Sequence, residues 1–252
     1  MTQTIEKQLN HRSIREFEDR GVSSEDLELF KRVIQRTATS TGIQSYSVIR
    51  VRDEEKRRAI SEVCNQDYVR RAPELFIFIV DCYRNEKIAK ELTGENLEQA
   101  YDMEKFFQGF SDSILAAQNL MTAIESKEMG GVFLGSILND SQRIVEILNL
   151  PKYTFPSLGV AFGYPNQSPM LKPRMDMKLR FFEDEYQTFD NYLDEIKDYD
   201  EEMKRYYDLR QADKPLDSFS EQVVSRFKNT LEKRASMLNV VRSQGFDLKL
   251  RD

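Results

Sequence analysis

Residues 75–80, LFIFIV, form a continuous apolar run between Pro73 and Asp81, which is typical of a central strand. Six successive apolar residues offer no polar face, so a strand made of them must be covered on both sides. Helical patterns before and after the run provide such covers. The sequence therefore predicts an α+β fold in three layers, with a mixed central sheet flanked by helices.

Further elements follow from the spacing of apolar residues and from turn and cap residues. Additional strands are predicted at residues 46–52, 132–134 and 157–163. Gly130 and Gly131 are expected to supply the left-handed stop of the longest helix, just before one of these strands. Helices are predicted at residues 4–9, from Ser23 to about residue 37, and at residues 53–64, 97–127 and 141–148.

The last third of the chain differs in composition from the rest. A charged, tyrosine-rich helix is predicted over residues 189–210, with a break at residues 213–215 and a final helical region from about Ser218. These segments carry no catalytic signature of their own. We therefore predict one domain spanning residues 1–252, in which residues 175–252 form a helical extension.

Composition restricts the class of protein. The chain has 252 residues, 40% of them hydrophobic and 32% charged, with a formal net charge of -6. A core of good size is possible, and a mildly acidic surface disfavours nucleic acid as a partner. With two cysteines, no signal-peptide pattern and no apolar run of the roughly 20 residues that a membrane helix needs, a soluble cytoplasmic protein without a membrane or metal partner is expected.

The most unusual polar stretch is residues 11–17, HRSIREF, which holds two arginines, a serine and the only histidine of the chain. A solvated surface turn would explain these charges. A second cationic pair, Lys172 and Arg174, flanks Pro173 far along the chain. Proline stiffens a short extended run, so the two cations would be held apart and both clusters could converge on one anion.

Four motifs in order resemble the nitroreductase superfamily: HRSIR at residues 11–15, TST at residues 39–41, GGVFLG at residues 130–135 and LKPR at residues 171–174. The similarity is greatest to the NADPH-dependent, oxygen-insensitive nitroreductases and the NADPH:flavin oxidoreductases. The resemblance implies the nitroreductase fold and an intertwined homodimer with two flavin mononucleotides (FMN) at the subunit interface.

The resemblance also implies a set of cofactor-binding residues. Arg12 would fix the ribityl end of FMN, Arg15 would lie by N1 and the C2 carbonyl, and Gln66 would bond the pyrimidine edge. Relatives often carry Gly-Gly followed by an arginine where this chain has Gly135-Ser136-Ile137-Leu138. The phosphate would be held by His11, Ser13, Lys172 and Arg174; Leu134, Gly135 and Ser136 would run beside the ring; Thr39, Ser40 and Thr41 would reach the flavin from the partner subunit.

The chemistry implied is ping-pong hydride transfer from NADPH through flavin N5 to nitroaromatics, quinones or free flavin, which needs no catalytic nucleophile or base. By resemblance, Arg210 would bind the 2′-phosphate of NADPH and Lys214 would assist. Two alternatives stay open at this point. One is a noncatalytic flavin-binding or regulatory dimer of the same fold, and the other is a helical interaction protein without a cofactor.

Overall fold

The computed structural model describes residues 1–206 and 216–248, and its centre is a four-stranded antiparallel sheet. The strands are β1 (Tyr46–Arg50), β2 (Glu74–Asp81), β3 (Gly130–Leu134) and β4 (Thr154–Gly163), in the order β1-β2-β4-β3. The α+β class is confirmed, but within the described residues the prediction of a mixed sheet is wrong, because every strand pair is antiparallel. Helices between strands suggested parallel crossovers, yet a helical connection can also return the chain in the opposite direction.

Helices cover both faces of the sheet, which confirms the three layers. The helices of the larger unit are α1 (Gln3–Leu9), α2 (Ser24–Gln35), α3 (Glu54–Cys64), α4 (Tyr68–Arg71), α5 (Tyr83–Thr93), α6 (Met103–Ser126), α7 (Ser141–Ile147), α11 (Glu232–Ala235) and α12 (Met237–Ser243). Short 3₁₀ turns span Ser40–Gly42, Glu98–Tyr101 and Gly135–Asp140. Neither α4 nor α5 is predicted from the sequence. Helix α4 has only four residues, and the large apolar residues Ile88 and Leu92 of α5 are exposed.

The residues of β2 alternate between two cores. Phe76 and Phe78 pack with α2 and α6, whereas Leu75 and Ile77 pack with α3 and α7 on the other face. Every residue of this strand is buried. The apolar run at residues 75–80 therefore occupies the predicted position between two helical layers.

The two glycines at the start of β3 lie in the strand, so the prediction that they form the left-handed stop of the preceding helix is wrong. Glu128, with φ of 56°, takes the left-handed conformation. The glycines instead permit close packing. A Cβ on Gly130 would lie 3.0 Å from the Cβ of Ile14 and closer still to its Cγ1, and the amide of Ile14 donates to the carbonyl of Gly131 at 3.0 Å.

Helix α6 is shorter than the predicted residues 97–127. Its cap is Asp102, which is extended and accepts from the amide of Lys105, so the Glu98–Tyr101 turn stands apart from the helix. Two large apolar side chains of α6 are exposed, Phe107 at 62% and Leu115 at 53%. Across the described residues, no helix combines the length and apolar character required to cross a bilayer.

The chain divides into a larger unit, residues 1–167 and 231–252, and a smaller unit, residues 168–230. The smaller unit contains α8 (Tyr192–Glu195), α9 (Lys197–Arg205), α10 (Phe219–Lys228) and a 3₁₀ turn at Met177–Leu179. One continuous helix from residue 189 is wrong, since a break at Ile196 separates α8 from α9. The assignment of all 252 residues to one domain stays a prediction.

We expect Gly130→Ala to destabilise the fold by about 1–3 kcal/mol, the usual cost of overpacking, because its Cβ would collide with the β-branched side chain of Ile14. Urea unfolding of both proteins measures this difference. Gly21→Ala is the matched control, since a Cβ there would have no neighbour within 4 Å. Equal losses in the two variants would contradict the packing role of Gly130.

Candidate functional site

The backbone of residues 14–18 is fixed to the sheet at several points. The side-chain oxygen of Gln167 accepts from the amides of Arg15, at 2.7 Å, and Glu16, at 2.6 Å. The amide of Glu18 donates to the carbonyl of Tyr164 at 2.9 Å, next to the bridge that pairs Phe17 with Pro165. The stretch that carries Arg15 is therefore held as an extra extended segment beside β3 and the end of β4.

One hydrogen-bond donor on the side chain of Arg15 lacks an acceptor among the described residues. This donor is Nε, which is buried. The side chain also lines a cavity of about 260 Å³, together with Arg20 and Arg71. A buried donor without an acceptor costs about 1–3 kcal/mol, so an acceptor supplied by a ligand would be favourable here.

The other two guanidiniums at this cavity are already engaged. Arg71 contacts both carboxylate oxygens of Glu16, at 2.9 and 3.0 Å, and this pairing holds the pKa of Glu16 below its usual value. Arg20 lies 3.6 Å above the centre of the Tyr164 ring. Among the three arginines at the cavity, Arg15 is thus the one with a buried nitrogen that lacks an acceptor within the described part of the chain.

Gln66 and Ser136 meet although they are far apart in sequence. The Ser136 hydroxyl donates to the side-chain oxygen of Gln66 at 2.9 Å. This bond leaves the amide nitrogen of Gln66 as the end that can donate to a ligand. The Ser136 hydroxyl thus orients the side chain of Gln66. Leu134 is buried, and a Cβ on Gly135 would meet nothing within 4 Å, so the backbone there borders open space.

The first residues of the HRSIR stretch lie near the end of α6. The Nδ1 atom of His11 lies 2.5 Å from the carboxylate of Glu125, and the Arg12 guanidinium donates to the carbonyl of Asn10 at 3.0 Å. Ser13 is half-buried and precedes the anchored Ile14. His11, Arg12 and Ser13 therefore lie near Arg15 because they are close to it in the sequence and because Ile14 is anchored between them.

The segment of residues 39–41 is held near the middle of α6. The amide of Ser40 donates to the buried carboxylate of Asp112 at 2.8 Å, and Thr41 has φ of 50°. At a rise of ~1.5 Å per residue, Asp112 and Glu125 are about 20 Å apart along the helix axis. Within one chain the structure therefore does not bring Thr39, Ser40 and Thr41 together with His11.

The remaining predicted residues belong to the smaller unit or to undescribed parts. Arg174 is exposed, and its guanidinium donates to the carbonyls of Lys172, at 3.0 Å, and Pro173, at 3.1 Å. That Lys172 and Arg174 converge with Arg15 stays a prediction. Arg210 and Lys214 lie outside the described residues.

Several supporting residues are absent from the sequence-based site. They include Gln167, Glu125, Asp112 and Arg234, the last of which donates to the carbonyl of Gly135 at 3.3 Å and to the side chain of Asn139 at 3.1 Å. None lies in a recognisable motif, so only the fold reveals them. In the part of the chain that the structure describes, no group of three His, Cys, Asp or Glu side chains could hold a metal.

Family models match most of the chain. The model described as the nitroreductase family covers residues 9–164, and the model described as the nitroreductase family, C-terminal domain, covers residues 172–249. The chain belongs to the nitroreductase family. The resemblance inferred from the four sequence motifs is thus confirmed.

Named relatives of this nitroreductase-family chain cover almost its whole length. It is 33% identical to the FMN reductase (NADPH) of Bacillus subtilis (strain 168), over 98% of this chain and 99% of the relative. It is 32% identical to the oxygen-insensitive NADPH nitroreductase of Salmonella typhimurium (strain LT2), with 98% and 99% covered. The solved NADPH:FMN oxidoreductase of Vibrio harveyi, complexed with NAD+, superposes with a TM-score of 0.86 at 30% identity, covering 98% of this chain and 100% of that chain. The predicted fold is confirmed.

We expect the stability of Asp112→Asn, relative to the unmodified protein, to increase as the pH rises from about 4 towards neutrality. Burial raises the pKa of Asp112, and the amide donors of Ser40 and Ser45 only partly oppose this shift. The protonated carboxyl is favoured in the fold, so its stabilisation is complete below the unfolded pKa of about 3.9 and is lost as the pH rises through the folded pKa. Asparagine cannot ionise, so the variant does not lose this stabilisation as the pH rises. Urea unfolding of both proteins across this pH range measures the difference in their free energies of unfolding.

Asp26→Asn is a control of opposite sign. Hydrogen bonds from Lys127 and Ser23 lower the pKa of Asp26, so its stabilisation is present above the unfolded pKa and is lost as the pH falls through the folded pKa. The stability of this variant relative to the unmodified protein should therefore decrease as the pH rises. A constant difference for Asp112→Asn at every pH would show that its burial does not disfavour the ionised form.

Proposed function

We propose that this chain is an FMN-dependent oxidoreductase that uses NADPH to reduce nitroaromatics, quinones or free flavin. Relatives named FMN reductase (NADPH) and oxygen-insensitive NADPH nitroreductase, which align over nearly its full length, support the proposal. The observation on this chain that carries it is the anchored Arg15, whose buried Nε has no acceptor among the described residues. We place the reaction in a reducing cytoplasm, which suits the free thiols of Cys64 and Cys82.

The residues present fit a flavin. The pyrimidine edge of the ring carries acceptor and donor atoms, which Arg15 and the amide nitrogen of Gln66 would match in part. The open space beside Gly135 suits the close approach of a flat ring to the backbone. Arg15 would also favour negative charge near N1 and the C2 carbonyl.

The phosphate of FMN would be bound by residues from two distant stretches of the sequence, residues 11–13 and residues 172–174. When bound, FMN would supply the redox chemistry, hydride transfer between NADPH and the second substrate. The chain contributes binding, orientation and charge. The phosphate would be held by His11, Ser13, Lys172 and Arg174; Arg12 would hold the ribityl end, and Leu134, Gly135 and Ser136 would border the ring. Arg210 and Lys214 belong to the proposed NADPH site.

We propose that the active form is a homodimer. Thr39, Ser40 and Thr41 are held about 20 Å along α6 from His11, so in this proposal they serve the flavin bound mainly by the other subunit. Phe107 and Leu115 on α6 give a second copy an apolar surface to cover. In this proposal, α6 contributes contacts to both flavin sites and also forms part of the subunit interface.

We expect the purified protein to be yellow and its flavin absorbance to bleach when NADPH is added without oxygen. Arg15→Ala and Lys172→Ala should each weaken FMN binding by about 10- to 100-fold, the effect of losing a hydrogen bond from a charged group. Absorption spectra and flavin titrations measure both effects. Arg58→Ala is a matched control, because Arg58 pairs with Glu55 on an exposed helix surface.

The possible results separate the alternatives. Tight flavin that neither NADPH nor NADH bleaches would favour a noncatalytic flavin-binding dimer. A colourless protein that does not bind added FMN would rule out the proposed function. Unchanged flavin content in both Arg15→Ala and Lys172→Ala would reject the site assignment.

A further inference from the structure

The only histidine of the chain forms a close contact with a carboxylate on α6. The Nδ1 atom of His11 and an oxygen of Glu125 are 2.5 Å apart, and the two side chains are 28% and 11% exposed. The contact bridges 114 positions of sequence, so it depends on the tertiary fold. A carboxylate so close to Nδ1 accepts a hydrogen bond from that nitrogen.

The neighbouring charges do not compete for this carboxylate. Lys7, on α1, pairs with Glu128 at 2.7 Å, one turn beyond Glu125. Arg12 donates to the carbonyl of Asn10. Within residues 1–206 and 216–248, no lysine or arginine forms an ion pair with Glu125, and its close contact there is with His11.

The position of His11 is restricted from two directions. Three residues later, Ile14 is bonded to Gly131 on β3, which limits the movement of the backbone. Glu125 binds one edge of the ring and so limits its rotation. Because the two nitrogens lie on different edges of an imidazole, Nε2 is the nitrogen left to meet a ligand.

We propose that Glu125 is a positioning residue for the flavin phosphate, which it serves by fixing the rotation of the His11 ring so that Nε2 is left to meet the phosphate. The inference rests on the proposed function, in which His11 contacts that phosphate. With the Glu125 carboxylate bound at one edge of the ring, the other edge contacts the phosphate without a loss of ring rotation at the moment of binding.

This role makes a prediction that concerns the phosphate alone. FMN carries the phosphate, whereas riboflavin has the same ring and ribityl chain without it. Loss of Glu125 should therefore weaken FMN binding and leave riboflavin binding nearly unchanged. A general disturbance of the fold would weaken the binding of both flavins.

The test titrates flavin-free full-length protein with FMN and with riboflavin. We expect Glu125→Ala to lower the ratio of FMN to riboflavin affinity about tenfold, the usual effect of losing one charge-assisted hydrogen bond. Glu125→Gln keeps the size of the side chain and a hydrogen-bond acceptor but removes the charge. We expect it to lower the affinity ratio by less than Glu125→Ala does. This variant replaces the alanine variant in the test if the latter does not fold. Glu128→Gln, which affects the neighbouring ion pair with Lys7, should leave the ratio unchanged.

A double mutant shows whether Glu125 acts through His11. His11→Ala should lower the ratio by itself, and adding Glu125→Ala should lower it little further. Full additivity of the two losses would overturn the inference. An unchanged ratio in Glu125→Ala, with normal FMN binding by the unmodified protein, would overturn it while leaving the proposed function intact. Failure of the unmodified protein to bind FMN would overturn both.

Nitrogen NMR tests the contact between His11 and Glu125 directly. A single histidine gives one unambiguous pair of ring ¹⁵N signals in protein labelled at histidine. In the FMN complex the Nδ1 signal should differ between the unmodified protein and Glu125→Ala, because this nitrogen loses its carboxylate partner. An identical Nδ1 signal in the two complexes would contradict the proposed hydrogen bond.

Discussion

The candidate site depends on how the segment around Ile14 binds to the first two residues of β3. The amide of Ile14 donates to the carbonyl of Gly131, and its side chain packs where Gly130 has no Cβ. β3 is an edge strand, so its outer hydrogen-bonding groups are available for this contact. One interaction thereby fixes the position of His11 on one side and Arg15 on the other.

Helix α6 connects this anchor to the rest of the proposed site. Glu125 near its end contacts His11, and Asp112 in its middle holds the amide of Ser40. A helix is stiff, so the distance between these two contacts is set by their spacing in sequence. Both contacts use a buried or largely buried carboxylate, which explains why two acids lie on a helix that mostly packs against the sheet.

The sequence was informative where the pattern is local and incomplete where the interaction is distant. Alternating or continuous apolar runs located all four strands, and the HRSIR motif located the anchored segment. The antiparallel direction and the packing role of Gly130 could not be read, because both depend on which elements become neighbours. For the same reason Gln167 and Glu125, which hold Arg15 and His11, showed no signal, since a single glutamine or glutamate is ordinary until the fold places it.

The cations of the proposed site differ in how firmly they are held, and this difference matches what each part of a flavin requires. Arg15 is fixed by two hydrogen bonds to Gln167 that hold its backbone and that of Glu16, and its Nε is buried. Charge that develops on a ring is stabilised best by a preorganised cation that need not move. Arg174 is exposed and bonds only to nearby carbonyls among the contacts described. A phosphate tolerates such a ligand, because its oxygens accept hydrogen bonds from many directions and its charge is the same before and after the ring is reduced.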